Sequence, residues 1–360
     1  MPDRWRCAVT HELRPRTAVA QMKAYSPPQN GRGGKLRLDF NENTVGCSPT
    51  VVSAITNALT GESLSMYPEY TQARGQVSSF LGINENQMTF TNGTDEAIQL
   101  LFNTFVEAGS EVLVLAPSYA MYRFYAELAG AVVRQVEYKV EDDLAFPFDA
   151  VLSAIGPNTR AVCISNPNNP TGTPVSEAQL RAVIEAAPDA AILVDEAYVE
   201  FSGITAMGWL AEYPQLFVSR TFSKAFGMAG IRCGCLCSQE QNIAWLRKAQ
   251  SPYSVNIVAV VAAVAAVNDV THVHNYVNEV LAARSLVEEG LSALGLRWYA
   301  SAGNFILFDV GSRAGTIRDE LKQTGILIRD RSYEIAGCVR VTIGTRAQMK
   351  QFLNELEKAL

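Results

Sequence analysis

No apolar run in this chain is long enough to cross a bilayer. The most apolar stretch, "IVAVVAAVAAV" at 257–267, covers 11 of the 360 residues, whereas a span needs about 20, so a buried helix is expected there. The opening "MPDRWRC" has no apolar core, and no signal peptide is expected. An excess of basic residues is also missing. Thirty Lys and Arg stand against 36 Asp and Glu, a net charge of −6, which argues against a nucleic-acid or anionic-membrane partner. The seven cysteines are odd in number and lack a framework spacing, in a chain too long to need staples. A reduced, cytoplasmic protein is expected. Cys233, Cys235 and Cys237 alternate in "IRCGCLCS", which puts them on one face of a strand. Nothing nearby offers a fourth metal ligand, and His272 and His274 are equally alone, so no metal is expected. No strand is followed by GxGxxG, which disfavours a dinucleotide-dependent enzyme.

What is present is an ordinary globular composition, 48% hydrophobic and 18% charged. Residues 1–45 are polar and irregular, with "SPPQNGRGG" as a loop signal, and read as an arm lying over a body. From about residue 87, short apolar runs alternate with amphipathic stretches. "QMTFTN", "EVLVLAP", "AVVRQVEY", "RAVCISNP", "AAILVDEA", "LFVSRTFS" and "IRCGCLCS" read as strands; "TDEAIQLLFNTFVEAG", "YAMYRFYAELAG" and "SEAQLRAVIEAA" read as helices. This alternation implies an α/β fold, with a mostly parallel sheet covered by helices in a large domain at 46–265. Long helical patterns then fill 240–295. "NFILFDV", "GILIRD", "CVRVTIG" and a closing helix complete a smaller α+β domain at 266–360.

Ligands of open α/β sheets sit at the carboxyl ends of the strands, so the residues after each strand carry the chemistry. Thr94 and Asp95 open a helix, which offers either an anion site or a plain N-cap. Tyr119 can stack on a planar ring. "NPNNPTG" holds Asn169 in a turn fixed by two prolines. Asp195 ends a buried strand and needs a partner: a metal, an arginine or a protonated heterocycle. Lys224, in "SRTFSKAFGMAGIRCG", has small and apolar neighbours that ease loss of its proton. A neutral amine can attack a carbonyl to form a Schiff base. Thr221, Ser223 and Arg232 supply two hydroxyls and a guanidinium for a phosphate. Pyridoxal 5′-phosphate is the common cofactor that needs this whole set together.

The chain resembles the fold-type I enzymes of the class I/II aminotransferase superfamily, and within it the histidinol-phosphate aminotransferases. The likeness runs from about Tyr25 to the C-terminus. It is carried by "LDFNEN", "MYPEY", "NGTDEAIQLL", "APSYAMY", "SNPNNPTG", "VDEAY", "TFSKAFGMAGIRCG", "GNFILF", "ILIRDRS" and "CVRVTIGTR". The resemblance implies that Lys224 is the covalent anchor and proton shuttle. Asp195 would pair with the pyridine nitrogen, and Tyr198 and Asn169 would hold the phenolic oxygen. Tyr119 would stack on the ring. The main chain of Thr94 and Asp95, with Thr221, Ser223 and Arg232, would bind the phosphate. Tyr67 would reach that phosphate from the other subunit, making the active unit a homodimer. It further implies that Arg340 grips the substrate carboxylate or phosphate. Arg329 and Tyr25 would lie near the distal phosphate, and Asn43 in a segment that closes over the site. Two stretches depart from the family pattern and border the substrate pocket: "TVGCS" at 44–48 and "YEIA" at 333–336.

The expected reaction is ping-pong transamination between glutamate and imidazole-acetol phosphate. An aromatic amino-acid transaminase, a phosphothreonine decarboxylase-like enzyme or a β-lyase would use the same scaffold. A ligand sensor of a transcription regulator is a further reading, but the first 45 residues are too few and too irregular for a helix-turn-helix.

Overall fold

The computed structural model describes residues 13–22 and 31–360. In chain order the strands are β1 (Leu36–Arg37), β2 (Met88–Thr91), β3 (Glu111–Ala116), β4 (Val132–Glu137), β5 (Thr159–Ser165), β6 (Ala191–Asp195), β7 (Leu216–Thr221) and β8 (Gly234–Cys237). They continue with β9 (Trp298–Tyr299), β10 (Phe305–Asp309), β11 (Ile326–Leu327), β12 (Arg329–Asp330) and β13 (Cys338–Thr342). Seven of them form the principal sheet, in the order β2-β8-β7-β6-β5-β3-β4. Only β8 runs against its neighbours β2 and β7; the other pairings are parallel.

The period-2 alternation of side chains sorts each central strand between two apolar layers. On one face Leu113, Val162, Ile164, Ile192 and Val194 join the larger core. On the other, Val112, Val114, Ala161, Cys163, Ala191 and Leu193 pack with residues of the helices Gly93–Phe105, Ala120–Ala129 and Glu240–Ala249. Burial on both faces explains why these strands read as continuous apolar runs. Cys233, Cys235 and Cys237 all belong to the larger core while Leu236 belongs to the other layer, the single face their spacing predicts. No metal-binding group of His, Cys, Asp and Glu occurs among the described residues.

Some helices start at a side-chain cap. Ser176 accepts from the Gln179 N–H and Gln179 answers to the Ser176 N–H, a capping box that opens Glu177–Ala186. Ile257–Val267 is a mostly buried core helix. Among the described residues no single helix is long and apolar enough to span a membrane, and this helix meets Val270–Ala293 at 77°. The four-stranded sheet has the order β12-β13-β10-β9, all antiparallel. The early strand β1 lies parallel to β11. That pairing leads into Phe40, Asn41 and Glu42, which line the cavity where the principal strands end.

Candidate active site

Because β2, β3, β5, β6 and β7 run in one direction, the residues that follow them meet at one edge. β8 is reversed, so the residue that precedes it, Arg232, arrives at the same edge. The result is a cavity of about 390 Å³. Its lining includes Thr94, Asp95, Tyr119, Asn169, Asp195, Tyr198, Thr221, Ser223, Lys224 and Arg232, together with Arg329 and Arg340. Twelve of the fifteen residues expected from the sequence therefore converge.

Three do not. Tyr25 lies outside the described residues. Asn43 is buried, but it does not line the cavity. Its amide nitrogen donates to the Ala225 carbonyl at 3.1 Å, and its oxygen accepts from the Val45 and Gly46 N–H groups. It fastens the N-terminal segment to the loop after Lys224. Tyr67 is 74% exposed on its own chain, stacked on Tyr253 with ring centroids 4.2 Å apart.

Lys224 is half-buried, and its Nζ donates to the Phe40 carbonyl at 2.9 Å. Burial, and next the neighbouring Arg340, lower its pKa from 10.5 to about 8. Asp195 and Glu196 are adjacent acids that diverge. Glu196 turns to Arg220 at 2.9 Å and to Thr205, a structural ion pair. Asp195 turns into the cavity, where its oxygens accept from Tyr122 Oη at 2.7 Å and Ser219 Oγ at 2.9 Å. Burial raises its pKa from 3.8 to about 6, and those two hydroxyls oppose the rise. Among the described residues no cation pairs with it.

Tyr198 is buried, and its hydroxyl accepts from Asn41 Nδ2 at 2.9 Å, which leaves the phenolic hydrogen to donate. Asn169 Oδ1 takes a hydrogen bond from Arg340 Nη1, so its remaining amide capacity is also a donor. Two donors are thus available in the cavity that Lys224 and Asp195 also line.

At the other end, neither Thr94 nor Asp95 caps its helix: the N-cap is Asn92 and has no side-chain cap. The Asp95 carboxylate accepts from Tyr119 Oη at 2.6 Å and lies 3.3 Å from Arg232. Thr94 Oγ1 is buried without a partner among the described residues. Gly93 has φ +75°, and a Cβ there would run into the Arg232 guanidinium. Only glycine lets that side chain lie against the first turn, where free N–H groups and the helix dipole favour an anion.

The third wall is built of arginine. β12 and β13 set Arg329 directly opposite Arg340. Arg331, two residues further along, shares that face and continues the ladder through its N–H to the Cys338 carbonyl at 2.9 Å. Like charges opposed across a ladder are unfavourable. Among the described residues neither Arg329 nor Arg340 has a carboxylate within ion-pair distance; Arg340 donates instead to the Asp39 carbonyl at 2.6 Å. Burial, and next Arg331, lower the pKa of Arg340 to about 10.

The chain matches the family Aminotransferase class I and II over residues 34–356. It belongs to that family. A histidinol-phosphate aminotransferase of Symbiobacterium thermophilum is 35% identical, over 96% of this chain and 98% of its own. One of Geobacillus thermodenitrificans is 36% identical, over 87% of each. In three dimensions the chain is similar to a histidinol-phosphate aminotransferase of Sinorhizobium meliloti solved in complex with pyridoxal 5′-phosphate. The TM-score is 0.86 at 24% identity, covering 96% of this chain and 97% of that one. At that identity the likeness concerns the fold.

As a member of this family the chain is a transaminase dependent on pyridoxal 5′-phosphate, and its residues fit that group. An unpartnered buried hydroxyl at Thr94, the cradle that only Gly93 permits, two donors from Tyr198 and Asn169 and a buried carboxylate without a cation are four separate deficits. A phosphate, a phenolic oxygen and a protonated ring nitrogen would complete them. Sequence reading missed Asn41, which orients Tyr198, and Arg331 and Glu334, which line the cavity; Tyr122, an aromatic suited to a substrate ring by sequence, is buried and bonds Asp195 instead.

Proposed function

We propose that the protein moves an amino group between glutamate and the keto partner of histidinol phosphate, alternating between the two amino donors. The observation that carries this reading is the opposed pair Arg329 and Arg340 without a carboxylate of their own. Such a wall favours a phosphate monoester, with close to two negative charges, over a substrate bearing one carboxylate and an uncharged ring. The curated relatives named above share the activity in their names.

In this reading the main-chain N–H groups of Thr94 and Asp95, with Thr221, Ser223 and Arg232, would hold the cofactor phosphate, and Tyr119 would stack on the ring. Pyridoxal 5′-phosphate supplies an electron-withdrawing heterocycle that stabilises negative charge at the substrate Cα. Asp195 keeps a proton on the ring nitrogen, and Tyr122 and Ser219 hold Asp195 in place. Tyr198 and Asn169 donate to the phenolic oxygen. Lys224 Nζ, with its lowered pKa, would accept the proton from the substrate Cα and hand it on, the proton movement that transamination requires. Arg340 and Arg329 fix the anionic end of the substrate, which sets the Cα–H bond within reach of Lys224.

The proposal extends to organisation. Residues 46–265 act as the cofactor-binding unit, 266–360 as the smaller unit and 1–45 as the arm. The working form is a homodimer in the cytoplasm. The exposure of Tyr67, which does not line its own cavity, supports a role at a partner's phosphate site. Five buried free cysteines suit a reducing compartment. The test is glutamate formation from 2-oxoglutarate with histidinol phosphate or phenylalanine as donor. A kcat/KM at least tenfold higher for histidinol phosphate supports the assignment, and a higher value for phenylalanine refutes it.

A further inference from the structure

Among the described residues the arginine wall carries one carboxylate, and it comes from the stretch "YEIA" at 333–336. Glu334 lies in the turn after β12, with its N–H bonded to the Arg331 carbonyl at 2.9 Å. Its carboxylate pairs with Arg331 Nη2, and Arg331 Nη1 donates to Tyr333 Oη at 3.0 Å. Arg331 is buried, and its Nε has no partner among the described residues. Glu334 also lines a second cavity of about 390 Å³, which shares Ser118, Tyr119 and Ala120 with the first. Its side chain is 23% exposed, so its carboxylate has room to leave the guanidinium.

We propose that Glu334 is a specificity-determining counter-anion: it holds Arg331 in reserve, and only a substrate bringing a second negative charge recruits Arg331 by displacing it. The reasoning is one of charge balance. Three guanidiniums on one wall, one of them matched by Glu334, leave a surplus of two positive charges. Against that surplus a phosphate monoester, or a dicarboxylate with its two ends, brings the second negative charge needed to compete with Glu334 for Arg331. A monocarboxylate with an uncharged side chain fills half of it and leaves the Arg331–Glu334 pair closed. Glu334 therefore lowers the affinity for dianions while keeping Arg331 satisfied whenever none is bound, since an unpaired buried guanidinium is costly.

This inference rests on the reading that the arginine wall takes the anionic end of the substrate, and the test separates the two. Binding of inorganic phosphate, succinate and 3-phenylpropionate to the cofactor-loaded enzyme is measured by calorimetry at fixed ionic strength, with the phosphate cup already filled by the cofactor. Glu334→Gln keeps the size and removes the charge. It is expected to tighten phosphate and succinate about tenfold and 3-phenylpropionate by no more than about threefold. In an Arg331→Met background the same change is expected to fall within about twofold, the signature of a coupled pair. Equal tightening of all three probes, no tightening, or a tenfold gain that persists without Arg331 overturns the inference and leaves the assigned activity standing. Wild-type enzyme that binds neither phosphate nor succinate overturns both. Unchanged cofactor absorption and thermal midpoint in Glu334→Gln confirm that the variant is folded.

Discussion

Replacing Asp195 by asparagine should stabilise the cofactor-free protein while disabling the enzyme. Asp195 is fully enclosed, and without a cation its charged form is unfavourable: burial lifts its pKa from 3.8 to about 6. At about 1.4 kcal/mol per pH unit, that displacement corresponds to about 3 kcal/mol. A carboxyl whose folded pKa is raised contributes stability that is fully present below its unfolded value. That stability is lost as pH rises through the folded value. The cofactor-free wild type should therefore lack it at pH 8 and retain most of it near pH 4. Asparagine carries no charge, and the hydroxyls of Tyr122 and Ser219 can turn to accept from its NH₂. Allowing for imperfect rearrangement, Asp195→Asn should gain about 1–2 kcal/mol at pH 8, or on the order of 2 °C in apparent midpoint for a chain of this length. The gain should vanish near pH 4. The assay is thermal unfolding of cofactor-free wild type and variant across that range, repeated with pyridoxal 5′-phosphate, which should stabilise the wild type more. A variant no more stable at pH 8 than at pH 4, relative to wild type, would show that Asp195 already has its charge compensated in the empty cavity.

Three further outcomes follow from the geometry. Burial lowers the pKa of Lys224 to about 8, so covalent capture of the cofactor by cofactor-free enzyme should speed up as pH rises through 8 and then level off; stopped-flow absorbance checks this, and a rate still climbing at pH 10 refutes it. Gly93→Ala forces a side chain onto a residue at φ +75° and against Arg232, so it should cost about 1–3 kcal/mol of stability and weaken cofactor retention, read by dialysis and melting; an unchanged protein refutes the cradle. Tyr67→Phe should weaken cofactor binding about tenfold with sedimentation unchanged, whereas a fully loaded monomeric wild type would remove Tyr67 from the site.

The chain displays its principal sheet openly because both faces of the central strands are covered, so apolar runs mark them and the chemistry waits at their ends. Lys224, Asp195, Asn169 and Arg232 could be read that way. The N-terminal segment could not. In "NEN" a simple alternation would treat Asn41 and Asn43 alike, but Asn41 adopts φ 55°. The chain turns there, sending Asn41 to Tyr198 and Asn43 to Ala225. Tyr122 was visible as an aromatic three residues after Tyr119; its bond to Asp195 depends on the helix Ala120–Ala129 packing on the face where β6 presents that acid. The "RDR" of β12 does carry a signal for Arg331, since period 2 puts it on the face of Arg329. Glu334 has none, because a turn without regular dihedrals places it.

The most direct test of the central claim is a single half-reaction: the cofactor-loaded enzyme titrated with histidinol phosphate, with phenylalanine as the comparison, while the cofactor's visible band is followed. The account predicts that histidinol phosphate converts the cofactor to its amino form at concentrations at least tenfold below those phenylalanine requires, and that 2-oxoglutarate restores the band. A band that ignores histidinol phosphate but responds to phenylalanine would contradict the account, because the arginine wall would then not be reading a phosphate.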